Sequence, residues 1–152
     1  MATRPFSGSP AYAETIRGLL RLHTLTENSQ DESPEADAIR DRLERPWRDL
    51  SDVEKERITG LSEDLYSISD PFPERLPISP EAEQGRLDAI AASQAGDPNS
   101  ALVLLRRWAK HLDPASLSYE RGCVWAEAGD IETAAPFFEH AARLDPSHGG
   151  AL

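Results

Sequence analysis

The chain has 152 residues, enough for one domain or two small ones, with 39% apolar and 28% charged residues and a formal net charge of −11. That composition is polar for a globular protein but too apolar for wholesale disorder. A negative field repels phosphate backbones and anionic membrane surfaces, so nucleic acid and membranes are poor partners. A basic ligand or basic protein fits better, and solubility alone also accounts for the charge.

Cys123 is the single cysteine, so no intrachain disulfide is available, which fits a reducing compartment. The first 25 residues lack a charged segment followed by a continuous apolar run, and no run approaches a membrane span. The expected location is cytoplasmic.

Residues 1–10 carry Gly, Ser and Pro without periodicity and read as a flexible tail. Residues 11–28 read as a helix. Tyr12, Ile16, Leu19, Leu22 and Leu25 recur at steps of four and three, and Glu14 falls in its first turn. Ser33-Pro34-Glu35 is a start signal: a capping hydroxyl, a proline at the first helical position, then an acid. Ala36, Ile39 and Leu43 form the stripe of that second helix, and Pro46 stops or kinks it. Ser51-Asp52-Val53-Glu54 is a capping box opening a third helix with Val53, Ile58, Leu61, Leu65 and Ile68 on one side.

Pro71, Pro73, Pro77 and Pro80 break regular structure over 70–79, the expected linker between a three-helix region (11–69) and a second helical region (80–146). Ser79-Pro80-Glu81 repeats the start signal. Leu87, Ile90 and Ala91 are the expected apolar positions of the next helix. Another runs from about Asn99 with Ala101, Leu104, Leu105, Trp108 and Leu112. Asp113-Pro114 closes it and opens a helix bearing Leu117, Val124, Trp125 and Ala128. After Gly129-Asp130 the last helix carries Ala134, Phe138, Ala141 and Leu144, and 147–152 is a frayed end. Pro136 requires either a start near Thr133 or a bent first turn.

Gly96-Asp97 and Gly129-Asp130 are 33 residues apart, and Leu112-Asp113-Pro114 and Leu144-Asp145-Pro146 are 32 apart. The period suits a two-helix unit. With Gly122, Trp125, Gly129, Ala134, Phe138, Ala141 and Pro146, the second unit resembles the tetratricopeptide repeat family. Ser118 and Arg121 stand where that family favours large apolar residues. The first unit, with Ala89 for Gly122, resembles it less closely. The resemblance implies an all-α fold of antiparallel hairpins over 80–146, arranged as a right-handed solenoid beside an N-terminal helical subdomain.

The resemblance also implies that the first helix of each pair lines a groove for a peptide. Its positions are Glu83, Arg86, Ile90 and Ser93 in unit one, and Ser116, Tyr119, Cys123, Ala126 and Glu127 in unit two. The expected function is non-enzymatic protein–protein interaction, as adaptor or scaffold. The alternative is self-association into homo-oligomers through the uncapped last repeat. No phosphate loop, nucleophile elbow or His-Glu-x-x-His is present, and no catalytic residue, metal or cofactor is expected. Arg106, Arg107, Lys110 and His111 form the basic cluster of the sequence, at a helix end where the dipole favours cations. Cys123 reads as a buried, inert thiol.

Overall fold

The computed structural model describes residues 8–69 and 76–146. The described residues are all-helical: α1 (Pro10–Glu27), α2 (Pro34–Arg48), α3 (Asp52–Ser69), α4 (Pro80–Gln94), α5 (Pro98–Arg107), α6 (Pro114–Glu127) and α7 (Ile131–Leu144), with a 3-10 turn at Ala109–His111. The chain divides into two compact units between Pro71 and Phe72, inside the proline-rich segment. Residues 70–75 of that expected linker, 1–7 of the expected tail and the end from 147 lie outside the described residues. No described helix is long and apolar enough to cross a membrane.

Five helix starts obey one rule. Ser9, Ser33 and Ser79 cap α1, α2 and α4, and Asp97 and Asp113 cap α5 and α6, each with proline next in line. Ser9 and Pro10 therefore belong to α1 rather than to the tail, and Glu14 lies beyond the first turn, which holds no acid. The capping box of α3 is formed. Ser51 N–H donates to Glu54 Oε1 at 2.9 Å, and Glu54 N–H donates to Ser51 Oγ at 3.1 Å. Glu54 Oε2 also accepts from the backbone N–H of Ser9 at 2.8 Å and from its hydroxyl at 3.0 Å. One carboxylate thus ties the starts of α1 and α3 together.

In the N-terminal unit α1 packs on both α2 and α3. Tyr12, Ile16, Leu25, Ala36, Ile39, Ile58, Leu61, Leu65 and Ile68 are buried, as the stripes required. Val53 is not; it is 51% exposed. Its place in the first turn of α3, beside the inward-facing Glu54, turns it to solvent. Pro46 is held inside α2, which runs on to Arg48, so it neither stops the helix nor stays exposed.

Three helices end alike. After α4 and α6, Gly96 and Gly129 take left-handed φ values of 84° and 89°. The next N–H bonds back to the helix: Asp97 N–H to the Ala92 carbonyl and Asp130 N–H to the Trp125 carbonyl, both at 2.9 Å. Ser29 occupies the same position after α1 with φ 58°, and Gln30 N–H reaches the Leu25 carbonyl at 2.7 Å. A side chain costs energy in that region. Ser29→Gly is expected to stabilise the protein by about 0.5–1 kcal/mol, and Gly129→Ala to destabilise it by about 1–2 kcal/mol. Urea unfolding of the two variants checks both signs.

The C-terminal unit is built of two hairpins, α4–α5 and α6–α7, with α5 against α6 and α4 beside α6. Its corners repeat in detail. Asp97 accepts from Ser100 N–H at 3.1 Å and Ser100 Oγ at 2.6 Å; Asp130 accepts from Thr133 N–H at 3.2 Å and Thr133 Oγ1 at 2.7 Å. α7 starts at Ile131, so Pro136 sits inside it and forfeits one backbone bond. Gly122 admits Phe138: a Cβ there would lie 2.6 Å from Phe138 Cε1. Gly85 admits Trp108 in the same way, closer still, a role the repeat pattern assigns to Ala89.

The buried face of α4 differs from the expected one. It consists of Ala82, Gly85 and Ala89, while Leu87 is 46% exposed. The close seat of Trp108 on Gly85 leaves room there only for small residues. On α6, Ser118 and Arg121 are buried at 3% and 2% exposure, in the positions where large apolar residues were expected. Phe137, not singled out from the sequence, is fully buried, and Phe138 is half-buried.

Candidate functional site

The α4 and α6 helices present two parallel stripes at steps of three and four. On α4 these are Glu83, Arg86, Ile90 and Ser93; on α6 they are Ser116, Tyr119, Cys123 and Ala126, with Glu127 beside the last. Two side-chain bridges cross between the helices. Arg86 Nη1 pairs with Glu120 Oε1 at 3.3 Å, and the Ser93 hydroxyl donates to Glu127 Oε2 at 2.6 Å. Each bridge joins residues 34 apart, so the two first helices lie in constant register. Glu120 was not among the expected residues. Its only signal is its position, one such step after Arg86.

Arg86 also pairs with Glu83 one turn earlier on its own helix. That hydrogen bond holds the Glu83 carboxyl below the usual glutamate range, and the same contact raises the Arg86 guanidinium. Three carboxylates, Glu83, Glu120 and Glu127, thus share the face with one guanidinium.

Tyr119 and Cys123 meet one turn apart on α6. The bond to Cys123 pushes the Tyr119 hydroxyl up, and desolvation pushes the Cys123 thiol up despite that bond. The thiol is half-buried rather than buried, and it stays protonated near neutrality, which suits a contact residue better than a nucleophile. Tyr119 leans on Phe138 of α7, with ring centroids 5.9 Å apart and planes at 46°. The glycine–phenylalanine packing at Gly122 therefore also fixes the pose of Tyr119.

The nine expected groove residues are not all gathered. Arg86 and Ser93 reach across to α6, and Tyr119 and Cys123 pair with each other. Ile90 and Ala126 are half-buried on their stripes. Ser116 is half-buried at the start of α6, where its N–H donates to the Asp113 cap at 3.0 Å. Among the described residues no group of His, Cys, Asp and Glu is placed to hold a metal ion.

The N-terminal unit has a concavity of its own, a half-open cleft of about 530 Å³ where α2 and α3 diverge over α1. Leu19, Leu43 and Ile58 form its floor, and Trp47, 38% exposed, stands at its edge with Lys55 Nζ 5.7 Å from the ring centre. Comparison of the chain with models of known families, with curated proteins and with solved structures finds no match.

Proposed function

We propose that residues 80–146 form a tetratricopeptide-like module that binds a protein segment along the α4/α6 face, without catalysis, as an adaptor or scaffold. The constant 34-residue register of the two cross-helix bridges carries this reading, because it sets the first helices of successive hairpins side by side. The family period is the same to within a residue. Ile90, Tyr119 and the exposed Leu87 offer apolar contact, and Glu83, Glu120 and Glu127 favour a segment carrying Lys or Arg.

The test is selection of peptides from a random display library on the full chain, then calorimetry with the selected peptides. Lys- and Arg-bearing peptides are expected to be enriched, and the Tyr119→Ala, Glu127→Ala double variant to bind them at least about tenfold more weakly, the loss of roughly 1.4 kcal/mol. Equal binding by wild type and double variant would remove the assignment of this face.

Self-association is the second reading. It rests on α7, whose Ile131 and Leu144 are 65% and 48% exposed. Sedimentation equilibrium separates the two readings, since a monomer at all concentrations eliminates the second.

A further inference from the structure

The N-terminal unit gathers arginines where the chain as a whole is acidic. Arg17 and Arg21 on α1 and Arg42 on α2 line one small cavity of about 220 Å³, floored by Gly18, Ile39 and Leu43, with Glu14 as its single acid. The helices meet closely there: a Cβ on Gly18 would lie 2.6 Å from Leu43 Cδ2. The glycine thus brings the α1 arginines up to the α2 arginine.

The three guanidiniums are not equivalent. Glu35 already neutralises Arg21, with contacts at 2.7, 3.0 and 3.1 Å. Among the described residues neither Arg17 nor Arg42 has a carboxylate partner, and Arg42 makes only a 3.4 Å bond to the Ala38 carbonyl. With Arg21 neutralised, the uncompensated like charges are Arg17 and Arg42 on one cavity, so as a surface device the cluster is unfavourable. Two unpaired guanidiniums match a dianion, and their planar forks suit the oxygens of a phosphoryl group. The cavity is smaller than the roughly 300–1,000 Å³ of drug-sized ligand sites. It admits a charged group and a short apolar stem, not a whole cofactor.

We propose that this cavity binds a phosphomonoester dianion, with Arg17 and Arg42 as its ligands, Arg21 held in reserve by Glu35, and the stem resting on Ile39 and Leu43. Glu14 opposes binding. Glu35 opposes it too, by occupying Arg21.

The test is calorimetric titration of the full chain with phenyl phosphate at low ionic strength, with inorganic phosphate and benzoate in parallel. Saturable binding of phenyl phosphate is expected, weaker for inorganic phosphate, which lacks the stem, and weakest for the monoanion benzoate. Arg17→Gln and Arg42→Gln should each weaken phenyl phosphate about tenfold, the equivalent of one charge-assisted hydrogen bond. Glu14→Gln and Glu35→Gln should tighten it. All four side chains are exposed, so the variants keep the fold, which unchanged helical circular dichroism verifies. Three results overturn the proposal: no saturable binding of phenyl phosphate, binding indifferent to both arginine variants, or benzoate bound as tightly as phenyl phosphate.

Discussion

Trp125→Ala is expected to destabilise the C-terminal unit by about 3–5 kcal/mol, the cost of emptying a site that holds a large aromatic ring. Trp125 is completely buried on α6, and its carbonyl accepts the Asp130 N–H that closes the corner before α7. The ring and the corner belong to the same turn of helix, so loss of packing there loosens the point at which the hairpin reverses. The loss is a large part of what holds a domain together. Chemical denaturation monitored by far-ultraviolet circular dichroism measures it. Ile131→Ala, a change at a 65% exposed position on the same hairpin, should stay within about 0.5 kcal/mol. A Trp125→Ala variant as stable as Ile131→Ala would contradict the burial described for α6.

Glu54→Ala should cost about 2–3 kcal/mol, because three donors lose their acceptor at once: the N–H and hydroxyl of Ser9 and the N–H of Ser51. The backbone bond from Ser51, and then that from Ser9, hold the Glu54 carboxyl below its ordinary value of 4.5, outweighing the effect of burial. A depressed carboxyl contributes stability that is complete above the unfolded value. That stability is lost as pH falls through the lower native value. The wild type should therefore lose stability on acidification below pH 4.5 by a component that Glu54→Gln lacks. Glu54→Gln keeps a neutral acceptor and should fall between wild type and Glu54→Ala at neutral pH. Denaturant midpoints across the acid range, compared between wild type and Glu54→Gln, show whether that component exists.

Helix positions are largely legible in the sequence because backbone chemistry announces them. A Ser or Asp before Pro starts five of the described helices, whereas Asp145-Pro146 follows the end of one, and a Gly before Asp turns one helix into the next. The same signal at Ser9-Pro10 is masked by neighbours of tail-like composition. Pattern alone serves less well where shape rather than size decides burial. Leu87 has the look of core and is exposed, whereas Gly85 has the look of a weak point and is the seat of Trp108. Ser118 and Arg121 read as departures from an apolar pattern, yet they occupy the interior positions that pattern describes.

The candidate face is partly legible for a related reason. Arg86, Tyr119, Cys123 and Glu127 come from helical periodicity plus resemblance. Glu120 does not, because a carboxylate on the open side of a helix carries no local mark, and only its distance from Arg86 identifies it. The arginine cavity is hidden altogether. Arg42 lies far in sequence from Arg17 and Arg21, the one visible basic cluster is 106–111, and only the closure of α1 on α2 at Gly18 brings the three arginines together.

The corners of the two C-terminal hairpins bear on how this protein tolerates changes in length. At Gly96-Asp97 and Gly129-Asp130, one residue finishes a helix and the very next begins another. The backbone N–H of both is bonded into the helix behind, and the Asp carboxylate into the helix ahead. No residue is left over to absorb an insertion or to act as a hinge. A single inserted residue must either unwind a cap or rotate the next helix by about 100°, one residue's share of a helical turn. Between α1 and α2, Asp31 and Glu32 follow the bonded close at Ser29-Gln30 and precede the Ser33 cap, two residues of a kind these corners lack. Natural variation in length should therefore collect there, and the hairpins should move, and be inherited, as rigid pieces.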